Sequence, residues 1–331
     1  MAVPLAVPLF AASLVVTLLA ARSFARRLDR LGVRFGLSET LIGLLTALAA
    51  DGPEISSALV ALVNGAHSVS VGVVVGSNAF NLAAMIGLSG LLAGRVCLSR
   101  RALALDGAIG AAILLIAAAL LLGWISAPLA AILAGGVFVP YVVAIFGGIH
   151  HAEHRGRARD RGSATAYTPT MNPSHQSRAA GSDDPTHHLL ALVVVDVALI
   201  IAGSTGMVEA ALALGERWHV AQAVLGVLIL APLTSVPNAL TGVRLGLAGR
   251  GAALVGETFD SNTINLTGAV IVPALFTTVL ASGTAAKAQL GWLVAMTFLC
   301  LALLAPRAGM RRGGAAALVV SYLGFALLQL A

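Results

Sequence analysis

The chain has 331 residues, of which 58% are hydrophobic and 10% charged, with a net charge of +6. Soluble domains carry about 25% charged residues, so the composition excludes a soluble globular protein and points to a chain that crosses the membrane many times. The two cysteines, Cys97 and Cys300, lie far apart in apolar runs, which excludes a disulfide framework and a cysteine metal module.

A membrane span needs about 20 mostly apolar residues. The first candidate is 4–22. Its basic residues follow the apolar core, the reverse of a secretory signal, so it reads as a retained helix. Spans at 37–63, 69–93, 103–122 and 125–147 complete a first set of five. A second set covers 188–213, 220–247, 252–280, 286–305 and 314–330. The expected fold class is an all-α polytopic membrane protein of ten transmembrane helices. Residues 1–147 and 188–331 are its two five-helix units.

The basic residues test this division. Eighteen of the 20 fall in the loops after spans 1, 3, 5, 7 and 9, and only Arg217 and Lys287 lie on the other side. By the positive-inside rule those loops are cytoplasmic and both termini extracytoplasmic. The alternation also explains the basic charge without nucleic acid as a partner. Lys287 is the only lysine among 19 arginines, as expected of a GC-rich bacterial genome and an inner-membrane protein.

Between the sets, residues 148–187 are polar and rich in Gly, Pro and Ser. With His188 this stretch carries six of the eight histidines. It reads as a disordered, basic cytoplasmic linker. A transition-metal tract is the competing reading, though no spacing there matches a folded zinc module.

The polar residues inside the spans carry the function. Asp51 and Glu54 flank Gly52-Pro53 in the middle of span 2. A charge at that depth costs about 2.5–3.5 kcal/mol on insertion scales, so a functional role is the default. A constant offset of 184 residues sets 47–82 against 231–266 without gaps. Pro53 meets Pro237, Gly65 meets Gly249, and Ser77, Asn78, Asn81 and Leu82 meet Ser261, Asn262, Asn265 and Leu266. Five spans per copy put the second copy in upside down. Inverted repeats build secondary transporters, with the site near the midplane where the copies meet. A proline inside a span frees a backbone carbonyl, and such irregular backbone is tolerated only where it is buried or lines a cavity. Carbonyl, carboxylate, hydroxyl and amide oxygens suit hard cations.

The candidate ligands in the first copy are Asp51, Glu54, Ser77 and Asn81. In the second they are Thr234, Ser235, Asn238, Ser261 and Asn265, with Glu257 and Asp260 as another acid pair three residues apart on one helix face. Asn78 and Asn262 are equally well explained as interhelical hydrogen bonds, and Gly65, Gly72, Gly76 and Gly87 as close-packing positions. Asp196 in span 6 stands open as a second proton site. Glu209 is placed near the outer, solvated end and Asp106 at the inner interface.

The repeats resemble those of the cation/calcium exchanger superfamily, the sodium/calcium exchangers and their relatives. That superfamily carries Gly-Thr-Ser-x-Pro-Glu on one helix of each repeat and Gly-Ser-Asn-x-x-Asn, or a closing Asp, on the next. GSNAFN at 76–81 matches fully. DGPE at 51–54 keeps Pro-Glu, with Ala50 and Asp51 where Thr-Ser is usual. TSVPN at 234–238 has Asn238 where Glu is usual, and DSNTIN at 260–265 has Asp260 for Gly.

The resemblance implies a cation antiporter with no cofactor. It would exchange Ca²⁺ or another divalent cation for Na⁺ or H⁺ by alternating access, with helices 1 and 6 sliding past the core. Its partners are inorganic cations and the bilayer. The departures bring acids together, and close like charges favour one shared proton per pair. That leans toward proton coupling, or toward Mg²⁺ or Mn²⁺ as cargo. The alternatives are a Na⁺/H⁺-type exchanger and a non-transporting receptor or scaffold, for which Asn238 is the one argument. No nucleophile–base pattern or phosphate loop supports an enzyme.

Overall fold

The computed structural model describes residues 3–35, 47–140, 185–281, 283–306 and 308–330. The first half supplies α1 (Val3–Arg34), α2 (Gly52–Val63, preceded by helical residues 47–50), α3 (His67–Ala93), α4 (Arg100–Leu121) and α5 (Ala127–Pro140). The second supplies α6 (Thr186–Trp218), α7 (Gln222–Thr234 and Val236–Leu247), α8 (Gly251–Leu266, continued by a π-helical turn at Thr267–Ile271), α9 (Gly283–Leu304) and α10 (Arg312–Leu328). The fold is therefore ten apolar helices in two inverted sets of five. The start of span 2, the end of span 5 and the linker up to residue 184 lie outside the described residues. His187 and His188 sit in the first turn of α6.

Two boundaries differ from the sequence reading. α1 runs to Arg34 rather than residue 22, because Ala, Leu and Arg are strong helix formers and carry the helix on through the basic stretch. Span 8 stops at Ile271 and gives way to a single 3₁₀ turn at Pro273–Leu275. Pro273 has no N–H to continue the ladder.

The 184-residue offset is visible in the backbone. α2 breaks at Asp51 (φ −81°, ψ −3°) and α7 at the equivalent Ser235 (φ −85°, ψ 2°), where its two halves meet at 50°. Each break is followed within two residues by proline, which cannot bond the carbonyl four residues back. The turn leaving each broken helix is built alike. Gly65 N–H bonds Leu62 O and Gly249 N–H bonds Gly246 O, both at 3.0 Å, with φ of 75° and 69°. Glycine is the residue that takes such φ values without strain. A π-helical stretch follows the Ser-Asn-x-x-Asn segment in both copies, at Leu82–Leu88 and Thr267–Ile271.

Two loop contacts fix which ends lie together. β1 (Arg95–Val96), after α3, pairs antiparallel with β2 (Met310–Arg311), after α9. On the opposite side Ala281 N–H bonds Leu121 O at 2.9 Å, joining the loop after α8 to the end of α4. This is the alternation that the arginines imply.

α3 is the centre of the molecule. In its most apolar stretch 94% of residues are buried, against 28% in α1 and in α6. It can be central because its glycines let backbones touch: a Cβ on Gly76 would sit 2.7 Å from Ala231 Cβ and 2.8 Å from Val227 Cα of α7. α1 and α6 pack along each other at the perimeter. There a Cβ on Gly203 would lie 2.9 Å from Ser13 O.

Candidate functional site

The two helix breaks face each other across the pseudo-twofold, and the site forms between them. Asp51 sits on the first break and Glu54 in the first turn of the half-helix that follows it. Both are 1% exposed. Neither forms an ion pair with a described basic residue, so neutral donors must hold them, and these come from the second repeat.

Asn238 Nδ2 donates to Asp51 Oδ1 at 2.8 Å and lies 3.1 Å from Glu54 Oε1. Ser235 Oγ donates to Glu54 Oε1 at 2.9 Å. Position 51 is equivalent to 235, and 54 to 238. The Asp51–Asn238 and Ser235–Glu54 contacts are thus one contact made twice, with the acid on the first repeat each time. Ser261, from α8, donates to Asp51 Oδ1 at 2.6 Å.

Behind this layer Asn81 Nδ2 reaches Ser261 Oγ at 3.1 Å and Asn262 Oδ1 at 3.2 Å, and Asn262 Nδ2 donates to the carbonyl of Asn78 at 3.2 Å. The mirror contacts of Ser77 and Asn265 are not made. Ser77 Oγ bonds the Val73 carbonyl one turn back, and neither amide atom of Asn265 has a protein partner. Thr234 likewise bonds back to Leu230 O at 2.9 Å and Ala231 O at 3.1 Å. Such back-bonds occupy the hydroxyl proton and leave a lone pair on the oxygen.

Hydrogen bonds therefore bring together Asp51, Glu54, Asn81, Ser235, Asn238 and Ser261, while Ser77, Thr234 and Asn265 are buried on the same helices without a contact to this network. The second acid pair stands apart. Glu257 and Asp260, on α8, are only partly buried, and Glu257 lies within electrostatic range of Asp51. Asp51 Oδ2, Glu54 Oε2, Asn81 Oδ1 and Asn265 Oδ1 are buried oxygens with no protein partner. Two carboxylates with neutral oxygens around them form a hard-cation donor set whose charge matches a divalent ion. Among the described residues no group of three His, Cys, Asp or Glu converges.

Asp196, the open candidate for a second proton site, is buried on α6. Its carboxylate is ion-paired with Arg27 of α1, which also donates to Leu192 O at 3.2 Å. Glu209 is exposed and Asp106 partly buried.

The sequence reading missed Ser57 and Thr241. Ser57 Oγ donates to Pro53 O at 2.7 Å and Thr241 Oγ1 to Pro237 O at 3.1 Å. They too are related by 184 residues, and a hydroxyl four residues after each proline was a readable signal. Asn262, weighed as an interhelical hydrogen bond as much as a ligand, accepts from Asn81 and donates to the Asn78 carbonyl in the second layer.

An apolar groove of about 520 Å³ runs between α2 and α6, lined by Gly52, Ile55, Val60, Ile200 and Thr205 among others.

The family model for sodium/calcium exchanger proteins matches residues 5–147 and 188–331. Among solved structures, an H⁺/Ca²⁺ exchanger, CAX, superposes with a TM-score of 0.70 at 12% identity, covering 98% of this chain and 85% of its own. Native YfkE gives 0.68 at 15% identity, covering 99% and 96%. The sodium–calcium exchanger NCX_Mj gives 0.60 at 20% identity, covering 97% and 98%. Comparison with curated protein sequences finds no match. Two matched five-helix blocks, read with the inverted geometry they fold into, establish that this multi-pass membrane chain belongs to the sodium/calcium exchanger protein family.

Proposed function

We propose that the chain is a secondary active antiporter that exchanges Ca²⁺, or a closely similar divalent cation, for Na⁺ or H⁺ at the Asp51–Glu54 centre. The observation that carries this reading is the pair of 1%-exposed carboxylates at a helix break, held by neutral donors from the opposite repeat. Two buried negative charges without a cationic residue beside them are costly. A divalent ion, two monovalent ions or protons would neutralise them, which is what exchange requires. The relatives named above as Na⁺/Ca²⁺ and H⁺/Ca²⁺ exchangers support the same class of cargo.

Ser77, Asn81, Thr234, Ser235, Asn238, Ser261 and Asn265 supply the neutral oxygens. Glu257 lies within electrostatic range of Asp51 and, with Asp260, serves the approach to the site rather than its centre. Access alternates as the peripheral α1–α6 pair moves across the groove beside α2. The arginine-rich loops face the cytoplasm and both termini the opposite side.

Proteoliposomes decide the coupling ion. Radiocalcium uptake is measured against an outward Na⁺ gradient and, separately, a pH gradient, with Mg²⁺ and Mn²⁺ as competitors. Uptake driven by one gradient names the counter-ion. Silence under both gradients, with Mg²⁺ and Mn²⁺ also untransported, overturns the antiport reading.

A further inference from the structure

The β1–β2 ribbon holds a cationic pair that transport does not use. Its inner face is packed, with Val96 and Met310 opposite each other and each 1% exposed. Strand alternation then turns their neighbours outward, and the partner of Arg95 in the register is Arg311. Like charges directly opposite on a ribbon are destabilising. No described carboxylate pairs with either residue, nor with the next one, Arg312.

The three side chains are nevertheless held in place. Arg95 Nε donates to the Ala308 carbonyl, and Arg312 Nε to Leu91 O at 3.3 Å. The Arg312 guanidinium lies over Gly94, within 3.6 Å of where a Cβ would stand. With each Nε anchored, the terminal guanidinium nitrogens of Arg95 and Arg312 stay open, beside Arg311.

The cluster also sits at a particular height. It caps the end of α3, whose last turns expose Leu88 and Leu92 (41% and 51%). Those two share one helix face, about one and two turns before the ribbon that carries Arg95, and Arg312 Nε bonds Leu91 O between them. An apolar track ending in unneutralised guanidiniums matches a lipid, acyl chain along the leucines and anionic headgroup at the arginines. Guanidinium is the group best suited to grip phosphate.

We propose that Arg95, Arg311 and Arg312 form a binding site for an anionic phospholipid headgroup, its acyl chain lying on Leu88 and Leu92. The site is separate from the cation centre, and its test does not depend on whether transport occurs.

The test uses the purified full chain in a neutral detergent. Lipid retention by native mass spectrometry and thermal midpoints are read with phosphatidylglycerol or phosphatidylcholine. The wild type should retain phosphatidylglycerol selectively and melt higher with it. Arg95→Gln/Arg311→Gln should bind it about 30-fold more weakly, as expected when two arginines each stop contributing about 1 kcal/mol. The same charge change at Arg22→Gln/Arg26→Gln on α1, and the charge-keeping Arg95→Lys/Arg311→Lys pair, should leave selective retention in place. If the double variant does not fold, Arg311→Gln alone serves, with a loss of about fivefold. Equal retention of the two lipids by the wild type overturns the proposal, as does a glutamine variant that binds like the wild type. Displacement of the lipid by millimolar inorganic phosphate would instead mark a site for free phosphate.

Discussion

At the scale of single residues, the site is an asymmetric use of a symmetric frame. The repeat places Asp51 opposite Asn238 and Ser235 opposite Glu54, so both charges fall on one copy and their donors on the other. Asn238 is the shared donor. Replacing it by leucine leaves two buried acids facing each other with fewer donors, and stability should fall by about 1–3 kcal/mol, read as a lower melting midpoint. Ser57→Ala removes the donor to the Pro53 carbonyl and should cost a similar amount, with less effect on cation binding because Ser57 supplies no oxygen to the centre. The acids, the prolines and the Ser-Asn segments were legible because charge in an apolar span is conspicuous. The role of Asn238 was not. In the sequence it reads as a lost glutamate, and only the fold shows that its amide nitrogen spans residues 184 and 187 positions away. Glu257 and Asp260 carried the same sequence signal as Asp51 and Glu54, yet they are partly exposed, because spacing on a helix does not say which face is buried.

At the scale of helices, glycine contacts and one ion pair govern packing. A methyl on Gly76 has backbone atoms of α7 within 2.8 Å. Gly76→Ala should cost about 1–3 kcal/mol by overpacking, visible in thermal denaturation, whereas Gly291→Ala, with open space around it, should be nearly neutral. The Arg27–Asp196 pair ties α1 to α6. A double-mutant cycle with Arg27→Gln and Asp196→Asn should give a coupling of about 1–3 kcal/mol, and a value near zero would mean the two helices are not joined there. Helix number, order and the inversion of the second set were legible from hydropathy, from alternating arginines and from the 184-residue offset. The ion pair was not, because its members are 169 positions apart and each has a plausible solitary reading. The π-helical turns at Leu82–Leu88 and Thr267–Ile271 were also invisible. They arise from how the helices pack, and residue type does not encode them.

At the scale of the whole molecule, the two halves differ in what they contribute. The first copy brings the two central carboxylates, the second most of the neutral oxygens, and the α1–α6 pair borders the groove beside α2. An exchanger built this way needs its two acids together. If Asp51 and Glu54 carry the cation, gradient-driven radiocalcium uptake by proteoliposomes holding either the wild type or Glu54→Gln, at matched protein content and with folding checked by melting, should show uptake by the wild type and background counts for Glu54→Gln. Equal uptake by the two proteins would contradict this assignment and move the cation site away from the helix breaks.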